Sequence, residues 1–190
     1  GDTERGYFHY DMEDSKIRVI CVNSADLKDI SPNSPQNGHH VSAEQLAWLV
    51  DTLDMTGLDE WGVIVLAHHP IHWDGAMENV LTILDAYVAG TSGSVTADSQ
   101  IVSYDFSGKN AAKLIATFHG HTHNLIYGKS GTSEIIRFCT PNACYDRNNE
   151  YGNATAYPDA TFRGKYGETT TYAKTKNSKT DTAFVVYTID

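Results

Sequence analysis

An uninterrupted apolar run, Gly62-Val63-Ile64-Val65-Leu66-Ala67, ends on His68-His69-Pro70. A run without polar alternation is suited to a strand covered on both faces. It commits the chain to a layered fold in which other elements lie above and below a sheet.

The flanking segments supply those elements. Tyr7 to Tyr10, a turn-like Asp11 to Ser15 and the β-branched Ile17 to Val22 read as a hairpin leading into a buried strand. Ser42-Ala43-Glu44-Gln45 is a capping box, with the Gln45 side chain expected to reach back to the helix start. Leu46, Leu49, Val50 and Leu53 follow at helical spacing, and Gly57 is the stop. Val80, Leu81, Leu84, Tyr87 and Val88 predict a second helix ending at Gly90.

Further on, Thr91 to Gln100 reads as a surface loop, Ala111 to Leu114 as a short helix, and Ile115 to Phe118 and Glu134 to Cys139 as strands. Ser31 to Gly38 is a loop by composition, and Ala183 to Ile189 a closing strand. The segment 142–180 is polar and without periodicity, long for a loop unless it serves a function or lacks order. Strands alternate with helices and then dominate, which predicts an α/β domain over residues 1–190 with a mixed sheet and flanking helices.

With 41% hydrophobic and 20% charged residues, the 190-residue chain is long and apolar enough for a real core. A net charge of -10 disfavours duplex nucleic acid as a partner. No apolar run reaches the length of a membrane span. The three cysteines, Cys21, Cys139 and Cys144, fit neither a zinc pattern nor a disulfide framework, which favours a reducing compartment and weakly the cytoplasm. The abrupt start at Gly1 is expected of a fragment or a processed product.

Two of the histidine clusters sit where apolar strands end: His68-His69-Pro70-Ile71-His72 and His119-Gly120-His121-Thr122-His123-Asn124. Ligand sites of α/β sheets form beyond the C-terminal ends of strands. Residues two apart in an extended segment point the same way, so His121 and His123 converge, and Gly120 admits close backbone approach. Neutral imidazoles are ligands for zinc, iron, nickel or manganese. His9, His39 and His40, which lie near polar stretches, and also His72 and His119, read as solvent-facing or hydrogen-bonded residues and not as ligands.

These motifs, with the helix start His40-Val41-Ser42-Ala43-Glu44-Gln45-Leu46-Ala47-Trp48-Leu49, resemble the later part of the calcineurin-like metallophosphoesterases. The resemblance covers most of Tyr7 to Asn124. It implies the C-terminal portion of a four-layer α-β-β-α sandwich. His68 and His121 would bind one metal ion and His123 the other, with His69 and Asn124 toward substrate or supporting the ligands. It further implies two divalent ions (of the manganese, iron, zinc or nickel class) in the full-length protein and a small phosphorylated substrate.

The family's Asp-x-His, Gly-Asp and Gly-Asn-His motifs are not in this sequence: Gly1-Asp2 has no strand before it, and Asn153 is followed by Ala154. Paired ions about 3.5–4 Å apart repel unless carboxylates hold them. The chain alone is therefore expected to hold no ion or one, to have no catalytic residue of its own and negligible activity. Its uncovered sheet surface is expected to pair with the missing N-terminal half or with a second copy. The competing expectations are a non-catalytic module that keeps the fold with at most one metal, and a closed structural zinc site. Tyr145, Arg147, Tyr151 and Arg163 are candidates for contacting a phosphate or base.

Overall fold

The computed structural model describes residues 4–26, 40–71, 76–120, 126–139, 160–163 and 169–172. β1 (Phe8–Met12) and β2 (Ile17–Val22) form the expected antiparallel hairpin, joined by a 3-10 turn at Glu13–Ser15. Arg18 donates two 2.7 Å hydrogen bonds to its cross-strand partner Asp11, which fixes the register of this edge.

β2 pairs in parallel with β3 (Gly62–Ala67), β3 with β6 (Lys113–His119), and β6 with β8 (Ile135–Cys139). β7 (Ile126–Ser130) runs antiparallel to β8 at the far edge, so the six-stranded sheet has the order β1-β2-β3-β6-β8-β7. The chain crosses from β2 to β3 through α1 (Ala43–Thr52) and from β3 to β6 through α2 (Ala76–Ala89). Right-handed crossovers that advance in one direction put both helices on the same face. Ile20 and Val22 of β2 and Val63 and Val65 of β3 are buried in one cluster with Leu46 and Leu49 of α1 and Val80, Ile83 and Leu84 of α2. Tyr87 seals its lower end, donating a 2.6 Å hydrogen bond to Ala112 O, and burial pushes its hydroxyl up to about 12.

The opposite face is also apolar. Strand pairing aligns Phe8, Cys21, Leu66, Phe118 and Phe138 in one row across five strands, with Tyr10, Val19 and Ile64 in the next. Neither described helix covers it. Phe8 is 42% exposed, Tyr10 66% and Met12 41%. Among the described residues the chain thus has a mixed α/β fold built on a six-stranded sheet and two helices.

Several expectations change. Residues 91–100 are not a loop: β4 (Ser92–Ala97) and β5 (Gln100–Asp105) form a hairpin that packs on the helices, burying Val95 against its cross-strand partner Val102. Its two-residue turn holds Asp98 and Ser99 at φ 49° and 60°, a conformation Asp tolerates but Gly or Asn usually marks. Asp98 accepts a 2.9 Å hydrogen bond from Ala43 N at the start of α1, which ties the turn to the helix. Residues 111–114 are not helical: β6 starts at Lys113, because a strand on β3's flank satisfies backbone groups that a single helical turn would leave open. β7 was not expected.

The predicted capping box forms only in part. Ser42 Oγ accepts from Gln45 N at 3.2 Å, but the Gln45 side chain turns to Asn23 and Asp26 instead of back to the helix start. Within 142–180, β9 (Ala160–Arg163) and β10 (Thr169–Tyr172) pair antiparallel. The rest of that segment, the 31–38 loop and the 183–189 strand lie outside the described residues.

Candidate functional site

The parallel strands β2, β3, β6 and β8 end side by side at Val22, Ala67, His119 and Cys139. Among the described residues just past those ends, Ser24 meets His69 and His68 meets Gly120. His68 and Gly120 are brought together: Gly120 N donates to His68 O at 3.1 Å, and a Cβ built on Gly120 would lie 3.5 Å from His68 Nδ1. The imidazole of His68 therefore rests against a backbone that carries no side chain.

His69 is 9% exposed and turns the other way, toward β2. Its ring meets that of His68 edge-on, with centroids 4.9 Å apart at 81°. Its Nδ1 is 2.8 Å from Ser24 Oγ, and its backbone N–H donates to the same oxygen at 3.0 Å. A serine and a histidine this close invite comparison with a nucleophile and its base. Ser24 is only 2% exposed and already accepts from the His69 backbone, so it is placed to hold the turn and not to attack a substrate.

Beneath Ser24 lies a buried polar network. Gln45 is fully buried; its Oε1 accepts from Asn23 N at 2.8 Å, and its Nε2 donates to Asn23 O and Asp26 Oδ2, each at 3.0 Å. Asp26 also accepts from Ser42 Oγ and, at 2.8 and 3.0 Å, from Arg5. Burial pulls the Asp26 carboxyl upward, but the hydrogen bonds from Ser42, Arg5 and Gln45 outweigh it and hold the group below the usual carboxylate range. These contacts fix the two residues past β2 that carry Ser24. A groove of about 900 Å³ opens beside Arg5, Asp26, His40 and Asp98; His68, His69 and Gly120 do not line it.

The other described histidines make contacts within the fold. His40 Nε2 is 3.1 Å from Asp98 Oδ1, and His9 stacks against Trp48 at 6.4 Å. His119, 2% exposed, has Nε2 2.9 Å from Thr117 Oγ1. Of the expected ligands, only His68 falls on described residues; His121, His123 and Asn124 lie outside them, as do His39, His72, Tyr145, Arg147 and Tyr151. Arg163 falls on β9.

His68 offers one imidazole, a donor of the kind that zinc, iron, nickel or manganese takes, at a strand end against Gly120, the residue before His121 in sequence. Among the described residues no group of three or more His, Cys, Asp or Glu is arranged to hold a metal. Asp26, which shares this end of the sheet, has its oxygens engaged by Arg5, Ser42 and Gln45.

Sequence reasoning missed Ser24, Asp26, Arg5 and Gln45 as parts of this end of the sheet. Asn23-Ser24 directly after an apolar strand was the available signal, because polar residues at a strand's C-terminal end lie where sites form. No protein-family model matches the chain, and a search of curated proteins returned no significant match.

Proposed function

We propose that these residues form the histidine-bearing part of a metal-dependent phosphoesterase that hydrolyses phosphomonoesters or phosphodiesters at a dinuclear centre. The observation that supports this most is the seating of His68 against Gly120, which joins the two histidine motifs at adjacent strand ends. His68, His121 and His123 are the proposed ligands, with His69 and Asn124 beside them. When bound, such ions supply an activated water and offset charge on the phosphate oxygens. The protein's own part is to hold imidazoles at fixed positions: strand pairing sets the spacing of β3 and β6, and the Gly120–His68 hydrogen bond sets the approach of the two turns.

Imidazoles bring no negative charge, so these 190 residues hold one ion and not two, and turn over substrate negligibly unless carboxylates from further polypeptide complete the centre. The apolar face bearing Phe8, Tyr10 and Phe118 is the surface for that further layer, completing a four-layer sandwich, or else for a second copy. A non-catalytic module that keeps the fold with one ion at most is the second reading; it is favoured by the engagement of Asp26 with Arg5, which removes a carboxylate otherwise near the site.

Calorimetric titration of the 190-residue chain with Co²⁺ tests the ligand assignment. One ion should bind, and His68→Ala should abolish binding. Absence of binding by the unaltered chain sinks the assignment, and robust metal-dependent hydrolysis of p-nitrophenyl phosphate by the chain alone sinks the claim that carboxylates are lacking.

A further inference from the structure

We propose that Ser24 is a positioning residue for the histidine-bearing turn: one buried hydroxyl that fixes the ring of His69 in a single tautomer and, through it, the ring of His68. The inference deepens the metal-binding reading of His68 and rests on it for its consequence, though not for its geometry.

The geometry begins with proton counting. A serine hydroxyl has one proton and two acceptor positions. Ser24 Oγ accepts the His69 backbone N–H at 3.0 Å and lies 2.8 Å from His69 Nδ1. Were Nδ1 protonated, Oγ would accept twice and its own proton would face a site only 2% exposed, without a further acceptor among the described residues. The satisfied arrangement has Oγ donate to Nδ1. His69 is then neutral and carries its proton on Nε2, an assignment made from the hydrogen-bond pattern.

Ser24 can impose this because it is itself held on both sides. Gln45 brackets Asn23 through both backbone groups, and Ser24 O accepts from His40 N at 2.9 Å. On the other side, the His69 ring lies edge-on to His68 at 4.9 Å, and His68 O accepts from Gly120. One line of contacts therefore ties the ends of three strands: Ser24 after β2, His69 and His68 after β3, and Gly120 after β6. Groups that orient a ligating histidine commonly change metal affinity about 10- to 100-fold when removed.

The test compares the unaltered chain with Ser24→Ala by imidazole ¹⁵N NMR at constant pH and by Co²⁺ titration followed through its visible absorption. The unaltered chain should show His69 as a single Nε2–H tautomer. In Ser24→Ala the His69 and His68 ring resonances should move, and the Co²⁺ dissociation constant should rise about tenfold. An Nδ1–H tautomer in the unaltered chain overturns the inference without any variant. So does a Ser24→Ala chain whose His69 and His68 signals are unchanged. Moved His69 resonances with unchanged Co²⁺ affinity overturn the link to His68. If the unaltered chain binds no Co²⁺, the metal reading fails, while the ring resonances still decide the role of Ser24.

Discussion

The two faces of the six-stranded sheet carry the same kinds of side chain in opposite circumstances. On the helix side, Ile20, Val63 and Val65 are fully buried against α1 and α2. On the other side, Phe8, Tyr10 and Met12 stand exposed on β1, with Cys21, Leu66, Phe118 and Phe138 beside them half-buried. Hydrophobicity along a strand thus states which residues want cover and not which of them receive it. The helix face is where these residues hold themselves together; the open face is where they can gain most from another layer.

The largest expected effect tests that contrast directly. Leu49→Ala, on the sealed side, should lower stability by about 3 kcal/mol, while Leu66→Ala on the open side should lower it by roughly half as much, because half-exposed methyls have less to lose. Urea unfolding of both variants measures this, and equal losses would mean that the open face is as well packed as the other. Next comes the polar seam at the helix side's upper end. Asp26→Ala strips the buried partner from Arg5 and Gln45 and should cost about 3 kcal/mol; a change near zero by the same measurement would show that the network adds nothing.

Acid should act on this seam too, more gently. Asp26 and Asp11 both sit below the usual carboxylate range, Asp26 through Ser42, Arg5 and Gln45 against the pull of burial, Asp11 through Arg18. A depressed carboxyl stabilises the folded state above its unfolded pKa of about 4 and loses that contribution as pH falls through the folded value. Thermal melts from pH 6 to pH 3 should therefore show a progressive fall beginning near pH 4–5, reduced in Asp11→Asn. A flat profile would remove Asp26 and Asp11 as contributors.

The smallest stability effect belongs to the open face. Tyr10→Ser with Met12→Ser should shift stability by less than about 0.5 kcal/mol while weakening association in sedimentation experiments. An unaltered chain that stays strictly monomeric at high concentration would break the assignment of this face as a contact surface.

Much of the scaffold was legible in advance because its signals are local. The hairpin into β2, the Ser42 cap, the helical spacing of Leu46 and Leu49 and the apolar run of β3 each lie within a few residues, and the elements appear where those patterns place them. The β4–β5 hairpin was not legible, since only Val95 and Val102 are buried in it and its turn uses Asp98-Ser99 without glycine. Two histidine-bearing strand ends were visible as candidates, and His68 does meet Gly120.

By itself, then, the sequence determined the succession of strands and helices and the chemistry available at two strand ends, because periodicity and residue type act over one or two turns of chain. Tertiary structure alone decided that Ser24 meets His69 across 45 positions of sequence, that Asp26 meets Arg5 across 21, and that the two described helices seal one apolar face and not the other. Those outcomes depend on which strands become neighbours and on the side to which the crossover helices fall. Both are set by the packing of the whole chain and by no local pattern within it.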